Sequence, residues 1–270
     1  MTAYDADAFN ALEVTGWDRK AEAYDRVWAG VTARVAAQLL DAAGVKAGTR
    51  ALDVGTGPGE LAARAADRGA SVVGVDASEA MLSLARRKHP EVEFRLGDAE
   101  RLPFPDASFD AVMAGFVLLH IGRPDRALAE FTRILVDGGR AALTLWAPES
   151  DVHRVFLQAM GDLGIRPPPE LPAGPPIVRP DDEVVALVRA AGLTEVVLEE
   201  VRFTQRFTSP EAMRLGMLDA GVRLGLILKA QPAEALRLLD ANVDARLQRF
   251  AVDGGIDVPV VVQLVSGVRR

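Results

Sequence analysis

Three aspartates, Asp53, Asp76 and Asp98, stand where short apolar runs of strand character give way to turns. Ala51-Leu52 precedes the first, Val72–Val75 the second, and Val92–Leu96 with Gly97 the third. In an open α/β sheet, ligands bind beyond the carboxyl ends of the strands, so carboxylates at these points can face a common ligand. Asp53-Val54 runs into Gly55-Thr56-Gly57-Pro58-Gly59, and the glycines let backbone approach a ligand with no Cβ in the way. Glu60–Arg68 is a good helix former, with Gly69 placed to end it. Strand, glycine turn and helix aim a positive helix end and its free N–H groups at the turn, which suits a nucleotide-like ligand.

Spacing narrows the ligand. The dinucleotide pattern G-x-G-x-x-G needs a third glycine at position 60, which is Glu60, and Pro58 removes an amide that a diphosphate would use. The Gly-Lys-Ser/Thr of a P-loop is absent. Asp76 lies roughly 20 residues beyond the first glycine, where a carboxylate can accept both ribose hydroxyls or simply cap the next helix. Asp98, in Gly97-Asp98-Ala99-Glu100-Arg101-Leu102-Pro103-Phe104, either meets a base or makes an Asx turn.

The segment Asp53-Val54-Gly55-Thr56-Gly57-Pro58-Gly59 resembles motif I of the class I S-adenosylmethionine (SAM)-dependent methyltransferases. Asp76-Ala77-Ser78-Glu79-Ala80-Met81-Leu82 looks like the D-x-S-x-x-M-L segment of that family, and Ser108-Phe109-Asp110-Ala111-Val112 resembles its S-F-D-x-V strand. Leu135-Val136-Asp137-Gly138-Gly139 corresponds to L-K-P-G-G without the Lys and Pro, keeping the turn glycines. Trp17–Asp25 follows W-D-x-x-A-x-x-Y-D residue for residue. The set resembles the ubiquinone/menaquinone-biosynthesis-like, type 11 branch, over about residues 15–200; the remainder matches only in layout.

The resemblance implies roles. Asp53 would favour the amino group of SAM, the turn at Gly55, Thr56 and Gly57 would pass its methionine portion, and Asp76 with Ala77 would hold the ribose. Met81 would pack on the adenine, Asp98 would accept from its amino group, and Gly97 and the amide of Ala99 would border the ring. Gly115 and Phe116 would line the methyl side, Tyr24 would cover the ligand, and S-adenosylhomocysteine would be the product. No metal is implied.

The elements needed to position these residues alternate strand and helix. Trp17–Leu40 reads as helix, with Ala23, Val27, Val31, Val35 and Leu39 recurring every fourth residue. Ser78 caps a helix through Arg87, Phe109–Gly115 is a fourth strand, Pro124 opens a helix to Val136, and Ala141–Trp146 is a fifth strand. The expected fold is a doubly wound, Rossmann-like α/β sheet of seven strands, mostly parallel, with an antiparallel last strand and helical lid insertions. The expected layout is an N-terminal helical cap (1–48), a SAM-binding core (49–146), a proline-rich lid (147–180) and a C-terminal part of the sheet (181–270) carrying a helical insertion at 209–251.

Bulk properties exclude several classes. The 270 residues carry a net charge of −7, which offers no footprint for nucleic acid, and no cysteine, which removes disulfides, thiolate zinc sites and iron–sulfur clusters. No apolar run is long enough for a membrane span, and the N-terminal stretch lacks the order of a signal peptide, so the expectation is a cytoplasmic monomer or homodimer acting on a small molecule. Of the three histidines, His89 reads as a surface residue of a basic helix end. His120 follows the fourth strand, where an acceptor would approach, and is the candidate general base; a structural role in that loop is the alternative. His153 lies in the lid. The leading expectation is methyl transfer to O, C or N of a hydrophobic small molecule. The alternatives are a methyltransferase fold that binds SAM for a rearrangement or cyclisation, a nicotinamide oxidoreductase, and a non-catalytic binding protein.

Overall fold

Alternation of facing side chains builds the sheet, and the computed structural model describes it over residues 4–270. Strands β1 (Arg50–Val54), β2 (Ser71–Asp76), β3 (Glu93–Leu96), β4 (Phe109–Gly115) and β5 (Leu135–Trp146) pair in parallel in the order β3-β2-β1-β4-β5. The order reverses between β1 and β4, the switch point that opens a crevice at the carboxyl ends. Strand β6 (Leu193–Phe207) forms the far edge, and β8 (Gly255–Arg269) lies antiparallel between β5 and β6. A two-residue β7 (Ala251–Val252) pairs only with β8.

Leu52, Val54, Val112, Ala114 and Leu143 face one side, against α6 (Pro124–Ile134) and α8 (Asp181–Ala190). Ala51, Ala111, Met113 and Ala142 face the other, against α3 (Ala36–Ala42), α4 (Glu60–Asp67) and α5 (Glu79–Lys88). Burial on both faces is what makes these strands continuous apolar runs.

The N-terminal helix differs from expectation. It begins at Ala6, not near Trp17, with Asp5 accepting from the Ala8 amide at 3.0 Å. Its first turns bury only Ala6, Phe9 and Glu13, too sparse an apolar stripe to read as a core-facing helix. After α1 (Ala6–Tyr24) the chain widens to a π-helical turn at Asp25–Ala29, continues through α2 (Gly30–Thr32), tightens at Ala33–Val35 and resumes as α3. β5 also begins early, at Leu135, because Gly138 (φ 79°) lets the strand pass an irregular step before Arg140 and rejoin β4.

The cover over the sheet's carboxyl edge consists of α1, α7 (Asp151–Asp162), α9 (Pro210–Ala220), α10 (Val222–Lys229) and α11 (Ala233–Leu247). Gly216 is required where α9 meets the π-helical turn, since a Cβ there would lie 2.7 Å from Val27 Cγ1. The Trp28 indole donates to the Gly216 carbonyl at 3.2 Å. Lys20 Nζ donates to the carbonyls of Leu218 (2.7 Å), Asp219 (3.0 Å) and Gly221 (3.0 Å). A cation thereby meets the negative end of α9 and ties α1 to the α9–α10 corner. Among the described residues no helix is long and apolar enough to cross a membrane.

Replacing Lys20 with Met should cost about 1–3 kcal/mol, the worth of charge-assisted bonds lost at a helix end. Urea unfolding measures this loss, and hydrogen exchange should quicken in residues 210–229 while β1–β5 stay protected.

Candidate functional site

A cavity of about 670 Å³ opens over the carboxyl ends of β1, β2, β4 and β5. Its volume lies within the roughly 300–1,000 Å³ range of small-molecule sites. The expected residues converge on it. From the first strand tip come Asp53, Gly55, Thr56 and Gly57, and from the second Asp76, Ala77 and Met81. The third contributes Gly97, Asp98 and Ala99, the fourth Gly115, Phe116 and His120, and the cap Tyr24.

Asp53 is buried at the end of β1 and accepts from Thr56 Oγ1 at 2.7 Å. Its carboxyl stands at about 7, above the usual carboxylate range; burial raises it most, the Thr56 hydroxyl and the Ala62 amide pull it down, and neighbouring Asp76 raises it further. The positive end of α4 is thus aimed at a carboxylate of the protein itself.

The glycine turn departs from expectation in the same way. Gly55 and Thr56 donate their amides to the Val75 carbonyl (2.8 and 3.0 Å), and Gly59 donates to the Thr56 carbonyl (3.0 Å). Gly57 donates to Asp76 Oδ2 at 2.9 Å. These amides are not free to cradle a phosphate. What the turn requires is left-handed backbone, with φ of 68°, 53° and 87° at Gly55, Gly57 and Gly59.

Asp76 Oδ1 accepts from the Ser78 amide at 2.9 Å, and the Ala77 amide also acts on the carboxylate. With about four acceptor positions on a carboxylate, capacity remains toward the cavity. Desolvation raises the Asp76 pKa most, against the pull of the Ser78, Gly57 and Ala77 amides and of His120. Ser78 caps α5 through the Met81 amide (3.2 Å) and donates to Asp18 of α1 at 2.6 Å. Asp98 makes the Asx turn, accepting from the Glu100 amide at 2.8 Å through Oδ1, while also lining the cavity. Tyr24 Oη lies 3.2 Å from Thr32 Oγ1, its ring edge-on to Trp17 at 5.4 Å. Phe116 holds a left-handed backbone (φ 56°) that a non-glycine residue adopts only under constraint. It stacks on Trp146 at 4.2 Å, and Trp146 meets His153 at 4.7 Å.

His120 is the side chain whose setting the sequence left most open. Its Nδ1 is 2.8 Å from Glu13 Oε2, which also accepts from Trp17 Nε1 at 3.1 Å, and its ring sits edge-on to Trp17 at 4.9 Å. Glu13 is 2% exposed, with Oε1 buried and unpartnered among the described residues. Sequence reasoning missed Glu13, because a glutamate in a polar helix reads as solvated. The signal available was its place four residues before Trp17, one turn away on the same helix face. His89 corrects another expectation: it packs half-buried beside the glycine turn, 3.6 Å from Glu60, so it is no surface residue. His153 packs half-buried into the aromatic wall, and desolvation pulls its pKa down to about 4, keeping it neutral.

Doubly wound sheet, switch-point crevice and carboxylates on successive strand tips together define a Rossmann-like fold of the methyltransferase kind. Residues 52–143 match the model of a methyltransferase domain. Over 111 residues the sequence is 42% identical to a demethylmenaquinone methyltransferase of Renibacterium salmoninarum, covering 41% of this chain and 47% of that protein. The chain spans about half the length of such curated relatives. In fold it resembles the YcgJ protein of Bacillus subtilis (24% identity, TM-score 0.60, 88% of this chain and 98% of the other). It also resembles the [4+2]-cyclase SpnF (24% identity, TM-score 0.52, 88% and 81%).

Asp53 binds its proton more firmly folded than unfolded, so the stability it contributes is lost as pH rises from about 4 through 7. Asp53→Asn should therefore melt above the unliganded wild type by a margin that widens across that window and levels off above it. Thermal melts at pH 4, 6 and 8 check this; a margin that stays flat with pH contradicts it.

Proposed function

We propose that this protein is a methyltransferase that moves the methyl group of SAM to O, C or N of a small, largely hydrophobic acceptor in the cytoplasm. The observation that carries this reading is a single cavity joining Asp53, Asp76 and Asp98 at successive strand tips to an aromatic chamber holding His120. SAM, when bound, supplies a methyl group already activated by a sulfonium, so the chain's residues have to bind, orient, exclude water and manage one proton.

Asp53, oriented by Thr56, takes the ammonium, and that cation draws its carboxyl into the charged form. Asp76 uses the remaining capacity of its two oxygens for the ribose hydroxyls. Asp98 and the Ala99 amide take the adenine edge over Met81, and Tyr24 with α1 closes the site. Phe116, fixed in its constrained backbone, borders the path of the methyl group, where in-line approach and a dry chamber provide most of the acceleration.

Glu13 holds the Nδ1–H of His120, which leaves Nε2 as the nitrogen that takes a proton from the acceptor. Glu13 is therefore the positioning residue and His120 the base. The net charge of −7 supports a small molecule over nucleic acid as acceptor.

The direct test incubates the protein with SAM and a panel of phenols, enolisable ketones and amines, reading S-adenosylhomocysteine by mass. Donor binding with no product from any acceptor would leave a SAM-holding fold without methyl transfer. Asp76→Ala should weaken SAM binding at least about 100-fold, from two hydrogen bonds to a charged group lost together; calorimetry reads this, and unchanged affinity refutes the ribose role. Glu13→Gln should lower kcat about 10- to 100-fold with the KM for SAM unchanged, in keeping with general-base contributions, and should move the acidic limb of the pH profile.

A further inference from the structure

Arg223, the second residue of α10, is the only lysine or arginine lining the cavity among the described residues. Other arginines drawn into this protein meet carboxylates: Arg123 lies on Glu100 at 3.0 Å, Arg133 on Glu130 at 2.7 Å and Arg214 on Asp244 at 2.7 Å. Arg223 has no such partner within ion-pair distance among the described residues. Its one hydrogen bond runs from Nη1 to the Pro175 carbonyl at 3.3 Å, while Nε is buried and unpartnered. The guanidinium stands 5.4 Å over the Phe9 ring.

An unpaired cation in an apolar setting is costly unless something completes it. With Nη1 engaged on Pro175 and Nε closed off, Nη2 is the nitrogen left to donate to a carboxylate. Nearby Glu13 acts electrostatically on Arg223, but its Oε2 serves His120 and Trp17, and its buried Oε1 makes no hydrogen bond or ion pair to the guanidinium. A group held at Arg223 therefore sits beside the Glu13–His120 pair, while Phe116, Trp146, Trp28 and His153 give the same chamber an apolar, aromatic lining.

Resting on the methyltransferase reading above, we infer that the acceptor is an apolar acid whose carboxylate is gripped by Arg223. Arg223 is a specificity residue in this assignment: it selects and orients the acceptor and takes no part in binding SAM. The proline-rich segment contributes by fixing the guanidinium through Pro175, which gives that stiff stretch a function beyond covering the site.

The experiment titrates two matched pairs, 2-naphthoate with 2-naphthamide and decanoate with decanamide, against the full chain with and without saturating S-adenosylhomocysteine. The wild type should hold at least one acid about 10-fold or more tighter than its amide, the scale of a charge-assisted hydrogen bond. Arg223→Gln should bring that ratio within twofold while S-adenosylhomocysteine affinity stays unchanged, and Arg223→Lys should retain an intermediate preference. Melting curves verify folding, and the Lys variant decides the matter if the Gln variant does not fold. No acid preference in either pair, an unaltered preference in the variants, or an equal loss of S-adenosylhomocysteine binding would each overturn the inference. The two readings fail separately. Uptake of S-adenosylhomocysteine without acid preference removes only this assignment, whereas acid preference without such uptake removes the methyltransferase reading.

Discussion

Two carboxylates on neighbouring strand tips, Asp53 buried and Asp76 half-buried, set the terms for the rest of the site. β1 and β2 pair Val54 with Val75, so Asp76 ends up close enough to Asp53 to oppose its ionisation. The fold answers with donors: the Thr56 hydroxyl and an α4 amide at Asp53, and the Gly57 and Ser78 amides at Asp76. That compensation is incomplete, which is why Asp53 stands near 7. A close carboxylate pair of this kind costs stability, an exchange for function seen widely at binding sites.

The glycine turn belongs to the same constraint. Its amides are directed back at Val75 and Asp76, so it binds the two strand tips to each other and presents no anion cradle. This separates the site from the diphosphate-binding turns that share its outline. The ligand's charge is to be met by carboxylates, and the backbone's task is to hold them at fixed separation.

The cover is built with similar economy. Lys20 pins the α9–α10 corner to α1, and α1 carries both Glu13 and Tyr24 into the cavity. One helix thus supplies the carboxylate beside His120, an aromatic ring in the cavity wall and the tie to the α9–α10 corner. The π-helical turn after Tyr24 allows Trp28 to reach the Gly216 carbonyl, so an irregular stretch of helix shapes the aromatic end of the cavity.

What was legible in the sequence followed from local rules. Alternation of apolar runs with helix formers, glycines at left-handed positions and acids at strand ends are properties of neighbouring residues, and they sufficed for the sheet, its crevice and the strand-tip carboxylates. The start of α1 and of β5 escaped because each depends on a sparse stripe or on an irregular step whose cost is repaid only by distant contacts. Glu13, Arg223 and the half-buried place of His89 were decided by tertiary structure alone. A charged side chain reads as solvated until the fold removes the water around it, and only the packing of α1, α10 and the proline-rich segment over the sheet did so.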